Sequence, residues 1–197
     1  MRNDIAALVG SRICHDLISP IGAIGNGVEL IGLTESTSGP EMALISESVE
    51  NANARIRFFR VAFGAASADQ IIGRTEVLSI LSATAKSGRF TYYWQVDNDH
   101  ARRDVRIAFL LLQCFETAFP VGGDITTIQD ADTWTLTAHG DRMNYDENLW
   151  DSLTRPRLGY EHSAAEVQFA LLPIVLQEAR RTLNIAVTGD QITATFK

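Results

Sequence analysis

His15 and Asp16 are the adjacent residues of this chain whose types are best suited to chemistry. A neutral imidazole nitrogen is a good nucleophile, and the N–P bond that it forms with a phosphoryl group is labile enough to pass the group onward. A neighbouring carboxylate can accept a hydrogen bond from one ring nitrogen, which fixes the tautomer and stabilises positive charge as the other nitrogen attacks. The pair therefore predicts phosphoryl transfer through His15, provided that the ring is presented to something outside the chain.

The stretch from Asn3 to Gly32 has the periodicity of an amphipathic helix, and this helix must position the pair. At about 100° per residue, His15 falls on the face opposite to the apolar side chains. The pattern therefore predicts an outward imidazole. The apolar face consists of Ala6, Val9, Ile13, Leu17, Pro20, Ile21, Ile24, Val28 and Ile31.

A polar strip of small residues surrounds His15 on this helix, because positions three and four apart are neighbours on a helical surface. A large rigid partner could approach the ring across such a strip. The strip consists of Ser11, Arg12, Ser19, Gly22, Asn26 and Glu29, with Leu8 as the apolar exception.

Four residues of the strip are predicted to contact the transferring group or the partner: Ser11, Arg12, Ser19 and Gly22. For Arg12 the alternative is a solvated surface charge, and for Ser19 it is a residue that is merely small.

Pro20 stands inside this helix, where it cannot donate to the carbonyl of Asp16. An interior proline costs roughly 3 kcal/mol, so we expect it to bend or loosen the turn that holds His15. The alternative is a break between two shorter helices.

A second helix is predicted after a polar break at residues 34–39. Ser38 and Glu41 have the spacing of a capping box at its start. Steps of three and four follow, which make a heptad seam. The seam consists of Met42, Ile45, Val49, Ala52, Ile56, Phe59 and Phe63.

The two helices form a hairpin that cannot bury both of its apolar seams by itself. Pairing two hairpins into a four-helix bundle would bury them, so we predict a homodimer. The alternative is that the hairpin packs against the rest of its own chain.

The rest of the chain reads as alternating helices and strands, which predicts an α+β sandwich with helices over one face of a mixed sheet. A capping box at Ser163 and Glu166 opens the last helix, which contains Pro173. The predicted helices are 75–86, 103–119 and 163–183, and the predicted strands are 89–96, 124–129, 133–139 and 191–196.

Composition excludes several classes of protein. A net charge of −7 disfavours nucleic acid as a partner, because the phosphate backbone requires a concentrated basic surface. No apolar run approaches the roughly 20 residues that span a bilayer, and no signal-peptide pattern opens the chain. The two isolated cysteines, Cys14 and Cys114, fit a reducing cytoplasm. The histidines show no metal-ligand spacing.

A family resemblance follows from the motif His15-Asp16-Leu17-Ile18-Ser19-Pro20-Ile21, a second helix and an α/β module in this order. The motif resembles the H-box of sensor histidine kinases. The longer segment from Ser11 to Ile24 is similar to the signature sequence of alphaproteobacterial histidine phosphotransferases of the ChpT type. The resemblance covers the whole chain, although its specific motif lies in the first helix alone.

This resemblance implies two domains. Residues 1–66 would form the dimerisation and phosphotransfer hairpin, and residues 67–197 a degenerate kinase-ATPase-like domain of the Bergerat fold. Kinases of this class use an asparagine-rich helix, an Asp-x-Gly-x-Gly motif and a glycine-rich lid. The matching places here are Leu112–Phe119 without asparagine, Thr137–Arg142, and a segment with Gly159 as its single glycine. We therefore expect that the chain does not bind ATP usefully.

The resemblance further implies that His15 accepts a phosphoryl group from a receiver-domain aspartate of a hybrid histidine kinase and passes it to a downstream response regulator. Mg²⁺ would belong to the partner receiver domain, and this chain would bind no cofactor. One alternative is an ATP-dependent histidine kinase fragment with an unusual nucleotide site. Another is a non-catalytic dimeric scaffold or kinase inhibitor.

Overall fold

The computed structural model describes residues 4–33, 39–67, 69–155 and 161–197. It begins with a helical hairpin of α1 (Ile5–Leu33) and α2 (Pro40–Ala62). The predicted capping box at Ser38 lies outside the described residues. The two helices approach closely at Gly27, where an added Cβ would come within 2.5 Å of Ile45 Cγ1.

α1 runs through Pro20 as one helix of 29 residues. The alternative of two shorter helices is therefore wrong. Pro20 has no N–H to donate, so the carbonyl of Asp16, the residue next to His15, lacks its usual helical hydrogen bond. The predicted bend at this position stays a prediction.

A mixed five-stranded sheet follows the hairpin, which confirms the predicted α+β class. The strands of this half are β1 (Ile71–Ile72), β2 (Phe90–Gln95), β3 (His100–Ala101), β4 (Gly123–Asp130), β5 (Thr133–His139), β6 (Leu183–Thr188) and β7 (Gln191–Phe196). The five-stranded sheet has the order β2-β4-β5-β7-β6, in which β2 and β4 are parallel and all other pairs are antiparallel. A separate two-stranded ladder joins β1 to β3.

In the described part of this half, four helices accompany the sheet, and the alternating burial along β5 and β7 shows that one face of the sheet is covered. Fully buried aromatic rings fill the space beneath the helices, among them Phe109, Trp134 and Phe196. The helices are α3 (Arg74–Ser87), α4 (Arg102–Ala118), α5 (Glu147–Thr154) and α6 (Val167–Ala179), with a short 3-10 turn (Ala164–Glu166) before α6.

The sequence prediction for this half omits β1, β3, α5 and β6 and is wrong at the end of the last helix. The last helix ends at Ala179, not near residue 183, because Arg180 turns the chain with a positive φ of 55° and Leu183–Thr188 then pairs with β7 as an edge strand. α5 is absent from the predicted order. Asp146 caps it by accepting hydrogen bonds from the backbone N–H groups of Asn148 and Leu149.

Part of the hairpin packs against the rest of its own chain. This is the arrangement given above as the alternative to a homodimer. Phe58, Phe59, Val61 and Ala62 at the end of α2 join the main core, and the ring of Phe58 lies 4.7 Å from that of Phe109.

A second apolar stripe of the hairpin stays exposed in the single chain. The helical wheel placed Ile21 and Val28 on the apolar face of α1, and both are exposed in the single chain. The exposed apolar residues of the stripe are Ile21, Val28, Met42, Val49 and Ile56. Among the described residues, no helix has both the length and the hydropathy that crossing a bilayer requires.

Candidate active site around His15

The His15 side chain projects from the middle of α1 into solvent and is 86% exposed. Its Nδ1 atom lies 3.1 Å from Oδ1 of Asp16. If Nδ1 carries the proton, Asp16 accepts it, and Nε2 is left with a lone pair directed at an incoming group. The arrangement presents one nucleophilic nitrogen to a partner.

Asp16 is far less accessible, with 11% of its side chain exposed. Its Oδ2 atom accepts a hydrogen bond from Nε of Arg12 at 2.8 Å and lies 3.7 Å from Nη1 of Arg55 on α2. The carboxylate therefore bridges two arginines on one oxygen and His15 on the other. This fixes its orientation toward the ring.

The Arg12 guanidinium donates hydrogen bonds to two groups of its own chain. Besides Asp16, its Nη1 donates to the carbonyl of Ala165 at 2.8 Å, in the turn before α6. That turn is held by the predicted capping box, in which Oε2 of Glu166 accepts from N of Ser163 at 2.8 Å and from its Oγ at 2.9 Å. Arg12 thus ties the hairpin to the α/β half and supports Asp16.

The other predicted contact residues lie on the exposed side of α1. Ser11, Ser19 and Gly22 flank His15 and are exposed. A Cβ built on Gly22 would meet no atom within 4 Å, so the surface beside the ring is open. The structure therefore brings these three residues and His15 to one surface, while Arg12 faces inward.

A cavity of about 330 Å³ lies behind Asp16, between the hairpin and the α/β half. Arg12, Asp16 and Arg55 form its hairpin wall. Tyr92 of β2 and Glu116 of α4 are on the opposite wall, where the Tyr92 hydroxyl donates to Oε1 of Glu116 at 2.7 Å.

Charged residues on the hairpin wall of the cavity affect the pKa values of Glu116 and Tyr92. Burial raises the pKa of Glu116, while the Tyr92 hydrogen bond and the charges of Arg12 and Arg55 act in the opposite direction. Burial, followed by the charge of Glu116, raises the pKa of Tyr92. Sequence reasoning missed Arg55, Tyr92 and Glu116, since nothing local in the sequence connects them to His15.

Two segments compared above with kinase motifs contact other parts of the α/β half. α4 offers Gln113 and Thr117 in its asparagine-free segment, and the buried Gln168 of α6 donates to Thr117 Oγ1 at 2.9 Å. In the segment compared with the kinase lid, α5 places Trp150 against Phe115 of α4, with ring centroids 5.8 Å apart.

Other chemistry has little support in the part of the chain that the structure describes. No group of three or more His, Cys, Asp or Glu side chains is arranged to hold a metal ion there. Cys14 is exposed and Cys114 is buried, and both are free thiols. Burial raises the pKa of the Cys114 thiol, which keeps it protonated.

Comparison with known proteins identifies relatives along the whole chain. Residues 74–191 match a family described as "Histidine phosphotransferase C-terminal domain". "Protein phosphotransferase ChpT" of Brucella abortus (strain 2308) is 30% identical over 200 residues, which cover 96% of this chain and 93% of that protein. A structure titled "1.7 Angstrom Structure of a Bacterial Phosphotransferase" superposes with a TM-score of 0.83 at 27% identity and covers 100% of this chain and 97% of its own.

Proposed function

The chain belongs to the histidine phosphotransferase family of the ChpT type, and we propose that it relays a phosphoryl group through His15 from a receiver domain to a response regulator. The observation that carries the proposal is the imidazole itself. It is 86% exposed and is held through Nδ1 by a carboxylate that is itself anchored.

The step can be written on the atoms of this site. Nε2 of His15 attacks the phosphorus of an aspartyl phosphate, the N–P bond forms, and the P–O bond to the aspartate breaks, leaving that carboxylate free. The ring becomes positively charged while Nδ1 keeps its proton, and Asp16 stabilises that charge at 3.1 Å. When an aspartate of the next receiver attacks the phosphorus, the N–P bond breaks and the neutral imidazole returns.

Mg²⁺ in the partner receiver domain would supply charge stabilisation on the transferring group. This chain then contributes orientation of the nucleophile, together with an open docking surface at Ser11, Ser19 and Gly22. With Arg12 bound to Asp16 and Ala165, we assign it to the support of Asp16.

We further propose that the protein binds no ATP and has no ATP-dependent kinase activity. Support comes from Gln168 and Trp150, which pack against α4 in the segments where a kinase would hold the nucleotide.

A homodimer is part of the proposal. Met42, Val49 and Ile56 recur every seven residues on α2, and Ile21 and Val28 are seven apart on α1; all five are exposed. Two hairpins that paired these stripes would bury them as a four-helix bundle and leave His15 at the edge of the interface.

We place the protein in the cytoplasm, where receiver domains and response regulators act. Its two free cysteines suit a reducing compartment.

Transfer of label from a receiver domain tests the function. A receiver charged with radiolabelled acetyl phosphate is mixed with the wild-type chain, and we expect acid-labile label on the chain within seconds. His15→Gln should take up none. His139→Gln is the matched control, because His139 is also exposed and paired with a carboxylate, Asp190, at 2.8 Å. Wild-type protein that takes up no label would contradict the proposal.

The same protein incubated with labelled ATP alone should remain unlabelled. Label on His15 without a partner would favour a kinase fragment, and full activity of His15→Ala in the cell would favour a scaffold.

A further inference from the structure

Two arginines and two carboxylates face one another across the cavity behind His15. Arg12, Asp16 and Arg55 come from the hairpin, whereas Glu116 comes from α4 of the α/β half. Arg89 is a third arginine on the cavity wall, so Asp16 and Glu116 face three guanidinium groups there. Without Glu116, these guanidinium groups would have Asp16 as their single anionic neighbour on this cavity wall.

A second carboxylate on the cavity wall matters for His15 because Asp16 has three partners. Arg12 and Arg55 approach Oδ2 at 2.8 and 3.7 Å, and His15 approaches Oδ1 at 3.1 Å. A second anion shares the arginines and lessens their pull on Asp16. The carboxylate can then remain a good acceptor for the imidazole.

Glu116 is itself fixed. The Tyr92 hydroxyl donates to its Oε1 at 2.7 Å, so the carboxylate cannot rotate freely in the cavity. The titratable and charged residues along the cavity wall are Arg12, Asp16, Arg55, Arg89, Tyr92 and Glu116. The Arg89 guanidinium is bound to the carbonyl of Pro120.

We propose that Glu116 is a positioning residue of the phosphotransfer site, which acts through Arg12 and Arg55 to keep Asp16 directed at His15. This rests on the proposed function of His15. It assigns the α/β half a part in the reaction: the carbonyl of Ala165 accepts a hydrogen bond from Arg12, and Glu116 lines the same cavity as Arg12 and Arg55.

Two substitutions separate charge from shape. Glu116→Gln keeps the shape and an acceptor for Tyr92 but removes the charge, whereas Glu116→Asp keeps the charge and shortens the side chain. If charge is what matters, the Asp variant retains more activity than the Gln variant. Glu76→Gln is the matched control, since Glu76 also pairs with a hairpin arginine, Arg60, at 3.0 Å but lies off the cavity.

Phosphoramidate is the probe, because this small donor gives its phosphoryl group to an imidazole nitrogen, releases ammonia and requires no docking surface. We expect Glu116→Gln to slow phosphorylation of His15 on the order of tenfold, since a misoriented reacting group is costly. Glu76→Gln should react as the wild type does.

A second readout reports the His15–Asp16 contact itself. In ¹⁵N NMR of the neutral ring, the wild type should favour the Nδ1–H tautomer, and Glu116→Gln should shift the ratio toward Nε2–H. A purely structural role of Glu116 would not move this ratio. The His15→Gln variant identifies the signal among the four histidines.

Folding of the variant is checked by thermal unfolding. Because the pKa of Glu116 is raised in the fold, its ionisation destabilises the protein as the pH rises above the usual glutamate range. Glu116→Gln should therefore have a higher Tm than the wild type at neutral pH, with the difference shrinking in acid.

The outcomes are distinct. A Gln variant with wild-type rate and tautomer ratio overturns the inference, as does equal loss of rate in both variants with an unchanged ratio. Loss in Gln with retention in Asp supports it. A wild type that fails to take up phosphoryl groups overturns the proposed function instead, while the tautomer ratio still tests the role of Glu116.

Discussion

At the scale of single residues, the site separates the proposed nucleophile from the carboxylate that we propose orients it. His15 is accessible and Asp16 is not, although they are adjacent in the chain and belong to the same helix. The helical step of about 100° explains this difference, because it directs one side chain to solvent and the next toward α2 and the α/β half.

Asp16→Asn should lower the rate of phosphoryl uptake by roughly 10²-fold, the magnitude typical of losing a positioned acid–base partner. The amide stays in place but cannot stabilise the charge that develops on the ring. Rapid-quench kinetics with a phosphorylated receiver measures the effect. Asp141→Asn, an exposed aspartate away from α1, should leave the rate unchanged. A rate for Asp16→Asn equal to that of the wild type would show that the carboxylate is not used.

At the scale of elements, the α/β half is held together by polar contacts between segments distant in the chain. Asp104 at the start of α4 accepts from Nε and Nη2 of Arg181, both at 2.9 Å, just after α6. This hydrogen-bonded pair raises the pKa of Arg181. The pair fixes α4 relative to α6. Glu116 is on α4, and the turn that contains Ala165 leads directly into α6.

Asp104→Ala should destabilise the fold by roughly 3 kcal/mol, because it removes a buried carboxylate and leaves the half-buried Arg181 without its partner. Urea unfolding followed by circular dichroism gives the free energy. The exposed pair Arg60–Glu76 provides the comparison, since its disruption in Glu76→Gln should cost less than about 1 kcal/mol. Equal effects of the two changes would refute the assignment of Asp104 to a buried pair.

Element prediction succeeded where the signal was local. Several elements lie within one residue of their predicted limits, because their periodicity and the glycines and prolines that end them can be recognised in the sequence. Among these elements are α3, α4, β5 and β7. β6 was missed, since its pairing with β7 is a tertiary contact. α5 carried a usable signal, Asp146 before an apolar Leu149–Trp150 pair, that was not recognised.

At the scale of the whole molecule, the hairpin has two apolar surfaces, of which one is buried and the other is exposed. One joins the core of its own chain through Phe58 and Phe59. The other, with Val49 and Ile56, is exposed and is the surface that we assign to a second copy.

Val49→Glu combined with Ile56→Glu should therefore convert the protein to a monomer, because four carboxylates would be buried at the interface of the pair. Light scattering after size-exclusion chromatography should show the mass halved, with the helical content kept. Ile128→Glu, at an exposed apolar site on β4, should remain dimeric. A wild type that elutes as a monomer would rule out the bundle.

The sequence by itself determined the position of His15, its carboxylate neighbour and the helix that turns the ring outward, because all three depend on interactions within about one helical turn. Only the tertiary structure decided what stands behind Asp16. Arg55, Tyr92, Glu116 and Ala165 reach the site from four separate segments, and no local pattern encodes which of them meet. These residues come together because the hairpin packs on the α/β core. That packing depends on contacts between segments far apart in the chain, which the sequence does not reveal.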